Sequence, residues 1–546
     1  MAAGSFAPSV ASPRATAAVL RIPFPQYDGT LTPYTFNSDY SLMTLLYDTV
    51  MWRDAGGIPR PWLADSVATS ADGMTVNIHV APGARWQDGP PVTSADIAFT
   101  FTYMRAHPHE RFTPELAVVS SVDTPDPATA VIHLSHTSSG FDEEPLSDVP
   151  IMPEHIWSNL PADALSPEGM PVGSGPYKLA SASPANGYRF EAVNGYFRGT
   201  PAVQTIEVPL IHDAAATTRA LQDHKVDALP ISVSPNDALQ LQRDLSVRVK
   251  SGASFLGTVL LMNTRSSPFD RPGVRRAVSD ALNLAQIASA VGQAVPADRG
   301  YLHPDSGWAP SGPVQHYDPP EARLGLSGVD TPITVLAPDN DTTQQAAGRQ
   351  VVEALERAGV NSKLTTVSVS ELNDAVGAGD VAPTYQLALW TAPALASYDP
   401  TLLGRLFGSG QPLNLTGYAS QEFDADAARV DTASDPAARH AAVESLVDRL
   451  AQDAPAVPLY FAKGEFAVRP GVYDGWVFVT GSGILDKLSF VVPAAPRPGD
   501  VVSGADAGSS NGSGSAGVPF SPIAASLALA AAVIAGYGAF RWLRRA

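Results

Sequence analysis

The feature that most constrains this chain is an uncharged apolar run near its C-terminus. Residues 523–540 (IAASLALAAAVIAGYGAF) carry no charged side chain. At about 1.5 Å per residue, a helix of this length is just long enough to cross a hydrocarbon core of about 30 Å. Arg541, Arg544 and Arg545 follow, and positive charge stays on the cytoplasmic side of a membrane. The run predicts a transmembrane anchor over residues 522–543, with the bulk of the chain extracellular.

We expect two further segments to be unstructured, one before the predicted anchor and one at the start of the chain. Residues 499–521 contain the stretch GADAGSSNGSGSAG, which is typical of a flexible linker. Residues 1–17 lack the basic start and long apolar stretch of an intact signal peptide. We expect them to be a disordered remnant of such a peptide, or to follow a start that lies upstream.

Length and composition limit what the extracellular part does. The chain has 546 residues, too many for one core at about 100–200 residues per domain. The formal net charge of −19 argues against nucleic-acid binding, because phosphates require a basic surface. The chain contains no cysteine, which excludes disulfides, thiolate metal sites and a lipid-bearing cysteine.

Local patterns in the first half predict strands and a helix. Alternating apolar residues over 74–80 and 130–134 are typical of half-buried strands. Between them, Thr93 and Asp96 form the sequence pattern of a capping box, which predicts that a helix begins there.

The second half predicts a different α/β unit. A strand at residues 333–337 precedes a helix that Gly359 ends, and further strands are expected at 364–369 and 385–390. Strand, helix and strand joined by short loops favour a crossover connection and a partly parallel sheet. One more helix is expected over residues 274–291.

The sequence carries no recognisable catalytic motif. G-x-S-x-G, P-loop, H-E-x-x-H and dinucleotide-binding patterns are missing. The pair His133 and His136 is a weak metal signal, because this spacing on a strand places the rings on opposite faces. Residues 142–144 (DEE) are interpreted as a solvated face rather than an acid/base pair. We expect no enzyme, no metal and no cofactor.

Several stretches, in order along the chain, resemble the family 5 extracellular solute-binding proteins. The most recognisable is VAPGARWQDGPPVTSADIAFTF at residues 80–101. The other matching stretches are LYDTV at 46–50, PWLADS at 61–66, GSGPYKL at 173–179, NGYFRG at 194–199, and MNT, PFD and VRRAV between 262 and 278. The resemblance covers about residues 20–495, and it is specific for the family but not for the ligand.

The resemblance implies a two-lobed α/β fold, a type II periplasmic-binding-protein fold, that closes over its ligand. Lobe one would comprise residues 18–253 and 466–498, with an extra subdomain at about 46–168, and lobe two would comprise residues 254–465. The candidate hinge residues, which ordinary loop roles would explain equally well, are Gly252, Gly257 and Gly464.

The resemblance also implies a function. The protein would be the membrane-anchored substrate-binding component of an ABC importer, with permease subunits and a peptide or similar small solute as partners and no nucleic acid. We expect a monomer. An oligosaccharide or a metal chelate is the alternative ligand, and the alternative functions are a sensory ectodomain on the same fold and an extracellular hydrolase.

Candidate ligand-binding residues follow from the matched positions. Trp390 would form an apolar wall, Tyr398 would stack or donate its hydroxyl, and Asp399 would accept from the ligand or cap the next helix. Tyr27 and Trp308 would line the cleft or pack elsewhere.

The chain departs from the peptide-binding relatives at one position. In them, a carboxylate that follows the tryptophan holds the α-ammonium of the peptide. Here the matching position falls on Pro393 or Ala396, and neither carries a charge. Since a buried ammonium without a carboxylate is costly, a free peptide N-terminus is a poorer candidate ligand.

Overall fold

The computed structural model describes residues 17–491, except residues 28, 37–39, 110, 161–165, 293, 378–381 and 434. Residues 1–16 of the expected remnant, the linker at 499–521 and the anchor at 522–543 lie outside the described residues. Among the helices that are described, none has the length and apolar character needed to cross a membrane.

Helices and strands alternate along the described chain. The strands are β1 Ala17–Arg21, β2 Met51–Arg53, β3 Pro59–Pro61, β4 Ala64–Thr69, β5 Thr75–Val80, β6 Val119–Asp126, β7 Thr129–Leu134, β8 Tyr177–Ser183, β9 Gly187–Ala192, β10 Val203–Val208, β11 Ala228–Leu229, β12 Arg248–Met262, β13 Val295–Pro296, β14 Ile333–Pro338, β15 Ser362–Val367, β16 Leu387–Ala392 and β17 Ala456–Val468. The helices are α1 Tyr40–Leu46, α2 Ser94–Ala106, α3 Phe112–Glu115, α4 Pro145–Asp148, α5 Glu154–Trp157, α6 Ala214–Gln222, α7 Pro235–Leu241, α8 Pro272–Ala281, α9 Leu284–Ala290, α10 Pro319–Gly325, α11 Thr342–Arg357, α12 Val369–Val376, α13 Leu395–Tyr398, α14 Leu402–Phe407, α15 Gln421–Thr432, α16 Pro436–Asp453 and α17 Lys487–Phe490.

The apolar cores divide the chain into two parts, which we name lobe one (residues 17–253 and 466–491) and lobe two (residues 254–465). One large core joins residues of β1 to β10 with Phe466, Tyr473 and Phe490. Two further cores lie on either side of the lobe-two sheet, and their buried members fall between Val259 and Tyr460. Each lobe therefore has its own hydrophobic interior.

Lobe one contains two four-stranded sheets. The first has the order β1-β10-β9-β8, in which β1 and β10 are parallel. The second has the order β4-β5-β7-β6 and is antiparallel throughout. The predicted strands around residues 74–80 and 130–134 are confirmed as β5 and β7, because their alternating apolar side chains face one core. The predicted start of α2 is also confirmed, with the capping box between Thr93 and Asp96.

A seven-stranded mixed sheet forms the framework of lobe two, and its β11 edge, with the adjoining ends of β12 and β17, lies in lobe one. Its order is β11-β17-β12-β16-β14-β15, with β13 paired to β17. The strand β14 is parallel to both β15 and β16, and α11 connects β14 to β15. The predicted partly parallel sheet is therefore confirmed.

The single helix expected over residues 274–291 is wrong, because the structure contains two helices there. Leu282 has an extended backbone, and Asn283 caps α9 by accepting a hydrogen bond from Gln286 N at 3.0 Å. The apolar spacing runs on through the break because α8 and α9 both pack against the same lobe-two core. The spacing of apolar residues in the sequence therefore did not show that the helix is interrupted at Leu282.

Two long strands connect the lobes. β12 and β17 are antiparallel, and their pairing runs from Arg248–Val468 in lobe one to Leu261–Ala456 in lobe two. The register shifts between Ala253 and Gly257, at the passage from one lobe to the other. A bulge of this kind bends a strand locally while the ladder continues on both sides.

The segment after β17 returns to lobe one and packs into its core. Lys487 is fully buried and donates to Asp48 Oδ1 at 2.7 Å and to Tyr47 O at 2.9 Å. Trp62 Nε1 donates to the same carboxylate oxygen at 3.0 Å. The buried ion pair thus ties the last described helix to the segment that follows α1.

Candidate functional site

The two lobes touch through a loop of lobe one and the end of a lobe-two helix. Residues 136–140, which we call the contact loop, lie against the C-terminal end of α15. Ser139 N donates to Asp431 O at 2.8 Å, and Ser139 Oγ donates to Val430 O at 2.7 Å. The last carbonyls of a helix have no partner within it. Lobe one therefore supplies donors that α15 lacks.

An ion pair also crosses between the lobes. Arg405 Nη2 of lobe two lies 2.6 Å from Glu144 Oε1 of lobe one, and the Glu144 side chain is only 9% exposed. The interpretation of residues 142–144 as a solvated face is therefore wrong at Glu144. Burial and, to a smaller extent, the charge of Asp399 together raise the pKa of Glu144 to about 8, against the opposing effect of Arg405.

An arginine of lobe one faces Tyr398 of lobe two. Arg53 Nη2 donates to Glu143 O at 2.8 Å, and the guanidinium lies 4.5 Å from the centre of the Tyr398 ring. The Tyr398 hydroxyl bonds to Thr480 O and, at 2.8 Å, to Ser482 Oγ. Burial raises the pKa of Tyr398 to about 12, so it stays protonated at neutral pH.

Asp399 pairs with a buried arginine. Arg439 Nη2 lies 2.7 Å from Asp399 Oδ1, which also accepts from Thr401 N at 2.9 Å. The guanidinium of Arg439 lies 4.4 Å from the centre of the Trp308 ring. The other carboxylate oxygen of Asp399 faces Gly140, where a Cβ atom would lie 1.9 Å from it. The contact loop therefore approaches lobe two as closely as a glycine allows.

Lobe two presents a recess at the carboxyl ends of β14 and β16. Trp390 and Thr391 of β16, Gln344 of α11 and Asn373 of α12 line it together with apolar side chains. Gln344 Nε2 donates to Thr391 Oγ1 at 3.1 Å. In α/β sheets with parallel strands, ligands bind outside the carboxyl ends of the strands. Trp390 therefore lies at the edge of the sheet where ligands bind in such folds, and its role as a wall stays a prediction.

Lobe one has a larger cavity at the carboxyl ends of β1, β10 and β11. Apolar side chains of Phe24, Ile211 and Leu229 line it, and the hydroxyls of Ser232 and Ser234 are at its polar side. The Ser232 hydroxyl donates to Lys463 O at 3.3 Å, on the strand that connects the lobes. This cavity and the recess beside Trp390 therefore both lie at the carboxyl ends of strands, one in each lobe.

The candidate hinge glycines lie on the connecting strands. Gly252 and Gly464 are direct partners in the β12–β17 ladder, and Gly257 follows the register shift opposite Phe461. A Cβ atom on Gly252 would lie 2.4 Å from the Phe478 ring. At Gly252 the absence of a side chain lets the returning segment pack against the strand.

The structure brings only some of the candidate ligand-binding residues together. Tyr398 and Asp399 are adjacent at the lobe contact, and Trp308 joins them through Arg439. Trp390 lines its own recess, and Tyr27 stacks on Tyr188 within lobe one at 5.2 Å.

Sequence reasoning missed the arginines of this contact. Arg439 occupies the apolar face of α16, in line with Val443, Leu446 and Leu450. A charged residue at a core position signals a buried ion pair, because an unpaired charge there is very costly. The sequence around Arg53, Arg405 and Gly140 contains no comparable pattern that would predict their place at the lobe contact. No set of three or more histidine, aspartate or glutamate side chains able to hold a metal ion occurs within the described ranges.

Most of the chain is similar in sequence to known proteins. Residues 59–412 match the family described as bacterial extracellular solute-binding proteins, family 5 Middle. A Brucella ovis protein whose name assigns it to ABC-transporter peptide binding is 29% identical over 378 residues, which are 66% of this chain and 70% of that protein. The glutathione-binding protein GsiB of Salmonella typhimurium is 24% identical over 472 residues, covering 82% of this chain and 90% of GsiB.

A solved structure shares the fold. The oligopeptide-binding protein AppA of Bacillus subtilis, solved in complex with a nonapeptide, superposes with a TM-score of 0.74 at 18% sequence identity. The superposition covers 88% of this chain and 100% of AppA. The similarity thus extends over both lobes.

Proposed function

The chain belongs to family 5 of the bacterial extracellular solute-binding proteins, and on that premise we propose that it is the substrate-binding component of an ABC importer that binds a peptide or a similar small solute between its lobes. Proteins of this family bind solutes and are not enzymes. The chain has the α/β periplasmic-binding-protein fold of its structural relatives. Its expected ABC permease partners follow from the names of its relatives.

The observation that carries this proposal is the character of the lobe contact. Two separately packed lobes are joined by continuous strands and meet through hydrogen bonds and ion pairs, such as Ser139 to Asp431 O and Arg405 to Glu144. When the lobes separate, water can take over the hydrogen bonds of these polar groups, whereas an apolar contact would resist opening. Such lobes can open and close, and a ligand that contacts both of them favours closure.

Relatives support a peptide as the ligand class. One relative is named for glutathione and another was solved with a nonapeptide. We propose that residues 18–253 with 466–498 and residues 254–465 are the two moving lobes, and that Gly252, Gly257 and Gly464 lie at the hinge. Trp390 and Tyr398 are the proposed ligand contacts of lobe two, while Asp399 acts through Arg439.

A ligand screen tests this function. The full chain in detergent is screened by thermal shift against pools of di- to hexapeptides, maltooligosaccharides and the nickel–histidine complex. A ligand at 100 times its Kd adds about 2.7 kcal/mol to the free energy of unfolding, which raises the Tm by several degrees. We expect peptide pools to produce this shift. A response limited to the sugar or the chelate would contradict the peptide assignment.

We also propose that residues 522–543 anchor the protein and that residues 499–521 tether it. The apolar run and the arginines that follow it support this arrangement. We expect the full chain in the membrane fraction, with its lobes digested by protease added to intact cells. A chain that ends at residue 498 and still stays in the membrane fraction would contradict the anchor. Uptake that persists without the chain, together with a lost response to the solute, would favour the sensory alternative.

A further inference from the structure

Glu143 is a carboxylate of lobe one that lies against lobe two. Its Oε2 atom is 3.3 Å from Arg53 Nε, yet neither of these two buried atoms makes a hydrogen bond with a described residue. The Tyr398 ring of lobe two covers the same guanidinium at 4.5 Å. The Glu143 side chain is 15% exposed in this arrangement. Separation of the lobes would therefore open the Arg53–Glu143 pair to water.

A second carboxylate approaches from lobe two. Asp399 pairs with Arg439 through Oδ1, while its Oδ2 is buried and accepts no hydrogen bond from a described residue. That oxygen faces Gly140, three residues before Glu143, and the charge of Asp399 acts on Glu143. Two negative charges repel each other, so a pair of neighbouring carboxylates favours protonation of one of them. A single proton would reduce the repulsion between the two lobes at this point.

The charges around Glu143 decide how strongly it holds a proton. Burial and, to a smaller extent, the charges of Asp399 and Asp142 together raise the pKa of Glu143 to about 8, against the opposing effects of Arg53 and Arg439. Arg53 belongs to lobe one and stays beside Glu143 when the lobes separate, whereas the cover of lobe two and the charge of Asp399 are lost. Opening therefore returns the pKa of Glu143 toward its ordinary value. Because the closed arrangement holds the proton more tightly, closure takes up a proton at neutral pH.

Glu144 lies in a similar setting. Its carboxylate is 2.6 Å from Arg405 of lobe two, and it faces the negative charges of Asp399 across the contact and of Asp148 and Glu115 within lobe one. Opening removes both Arg405 and Asp399, and these two losses have opposite effects on the proton. Burial outweighs the attraction to Arg405, because the pKa of Glu144 is raised in the closed arrangement. A proton at Glu144 therefore favours closure as well.

His136 of the contact loop acts in the same direction. Its Nε2 atom lies 3.5 Å from Asp431 Oδ2 of lobe two, and its Nδ1 atom lies 3.1 Å from Ser135 Oγ. A histidine gains a positive charge in mildly acidic medium. A charged His136 would attract Asp431 across the contact, so acid strengthens this connection between the lobes.

We propose that the contact between the lobes is a pH-sensitive latch, in which protons taken up at Glu143 and Glu144 favour the closed arrangement. The latch rests on the proposed function, since it assumes lobes that open and close, and it adds the regulation of that movement. Below the closed-state pKa of about 8, each such proton changes the ratio of closed to open molecules by up to about tenfold per pH unit. Mild acid therefore favours closed lobes, and alkaline medium favours open ones.

Energy transfer between two fluorescent dyes measures the closed fraction without any ligand. The dyes are attached to the full chain at Ser181→Cys in lobe one and Glu356→Cys in lobe two, which are exposed positions in a chain without other cysteines. We expect the ratio of closed to open molecules to rise at least about fivefold from pH 8 to pH 7, the effect of one group that titrates near pH 8. Glu143→Gln combined with Glu144→Gln should reduce this change to less than about twofold, because glutamine does not titrate.

Glu191→Gln combined with Glu207→Gln is the matched control. Both of these side chains are exposed on the lobe-one sheet, and their replacement should leave the full response in place. The same closed fraction at pH 7 and pH 8, a larger closed fraction at pH 8, or an undiminished response without Glu143 and Glu144 would overturn the proposal. The Tm of each variant checks that it is folded, and Glu143→Gln alone, with a reduced response expected, replaces a double variant that does not fold.

Peptides separate the latch from the proposed function. Energy transfer is recorded at pH 7 and pH 8 with and without the pool of di- to hexapeptides. Closure by the peptides at both pH values, with no effect of pH in their absence, would contradict the latch and leave the function standing. A response to pH without any response to the peptides would contradict the peptide function and leave the latch standing.

Discussion

At the scale of single residues, the lobe contact depends on charges that are paired away from water. Asp399 is fully buried and Arg439 nearly so, and each has one polar atom without a hydrogen bond. Breaking such a pair leaves the remaining charge uncompensated, and that loss exceeds the net value of the pair itself. Asp399 thus serves first to hold Arg439 in place, and through Arg439 it orients Trp308.

We expect Arg439→Met to lower the free energy of unfolding by about 3–5 kcal/mol, because Asp399 is left buried without a countercharge. Urea denaturation followed by circular dichroism measures this change. Lys225→Met is the matched control, since the Lys225–Asp223 pair is largely exposed and contributes about 0–1 kcal/mol. Equal losses in both variants would show that the Arg439 pair is not buried in solution.

The free energy of unfolding depends on pH in part through the carboxyl group of Glu115. Burial raises its pKa well above the ordinary value, Asp148 and Glu144 raise it further, and Arg405 and Arg111 oppose the shift. Both carboxylate oxygens are buried without a hydrogen-bond partner. Because the raised pKa belongs to the folded state, folding binds a proton at neutral pH. The contribution of protonated Glu115 to the free energy of unfolding is fully present below the unfolded-state pKa, and it is lost as the pH rises through the folded-state pKa.

Glu115→Gln should remove this dependence, because glutamine stays neutral at every pH. We expect the difference in the free energy of unfolding, variant minus unaltered protein, to be larger at pH 8.5 than at pH 6 by about 1 kcal/mol or more. One pKa unit corresponds to 1.36 kcal/mol. Urea unfolding at the two pH values measures the difference. A difference that stays the same at both values would contradict a raised pKa at Glu115.

At the scale of elements, the contact loop is one of the parts of lobe one that contact lobe two. Ser138 Oγ donates to Asp431 Oδ1 at 3.1 Å, and Thr137 Oγ1 donates to Thr432 O at 3.2 Å. The Thr137 bond, like those of Ser139, satisfies a backbone carbonyl at the end of α15, whereas Ser138 binds the Asp431 side chain. Gly140 then packs against Asp399 with no room for a side chain.

We expect Gly140→Ala to prevent full closure and to weaken ligand binding at least about tenfold, since its Cβ atom would lie 1.9 Å from Asp399 Oδ2. Calorimetric titration with a peptide that raises the Tm of the unaltered protein measures the effect. Gly312→Ala is the control, because a Cβ atom there meets nothing within 4 Å. Equal affinity in the two variants would place the contact loop outside the closing movement.

The elements could be predicted where their causes are local. The capping box of α2 and the alternation of β5 and β7 lie within a few residues, and the sequence shows them directly. The break between α8 and α9 was missed because both helices bury the same face. Partners that are distant in sequence were beyond prediction, and they include Arg405 with Glu144 and the contact loop with α15. Of the site, Trp390 and Tyr398 were proposed from matched positions, whereas Arg439 and Gly140 were found only through their contacts with Asp399 in the structure.

At the scale of the whole molecule, β12 and β17 connect the two lobes, and we propose that the lobes move relative to each other about these strands. Each lobe keeps its own core, and the register shift between Ala253 and Gly257 lies where the chain passes from one lobe to the other. Each lobe has a recess at the carboxyl ends of its strands, and we propose that a ligand contacts both lobes. Closure then depends on how much more tightly the ligand binds to both lobes than to one.

Because the chain lacks cysteine, a pair of spin labels can be placed without other changes. Ser181→Cys in lobe one and Glu356→Cys in lobe two are both at exposed positions. Electron–electron double resonance measures the distance between the two labels with and without a peptide that raises the Tm. The account predicts that the peptide changes this distance distribution and narrows it to a single closed population. A distribution that stays the same at saturating peptide would contradict a protein that closes over its ligand.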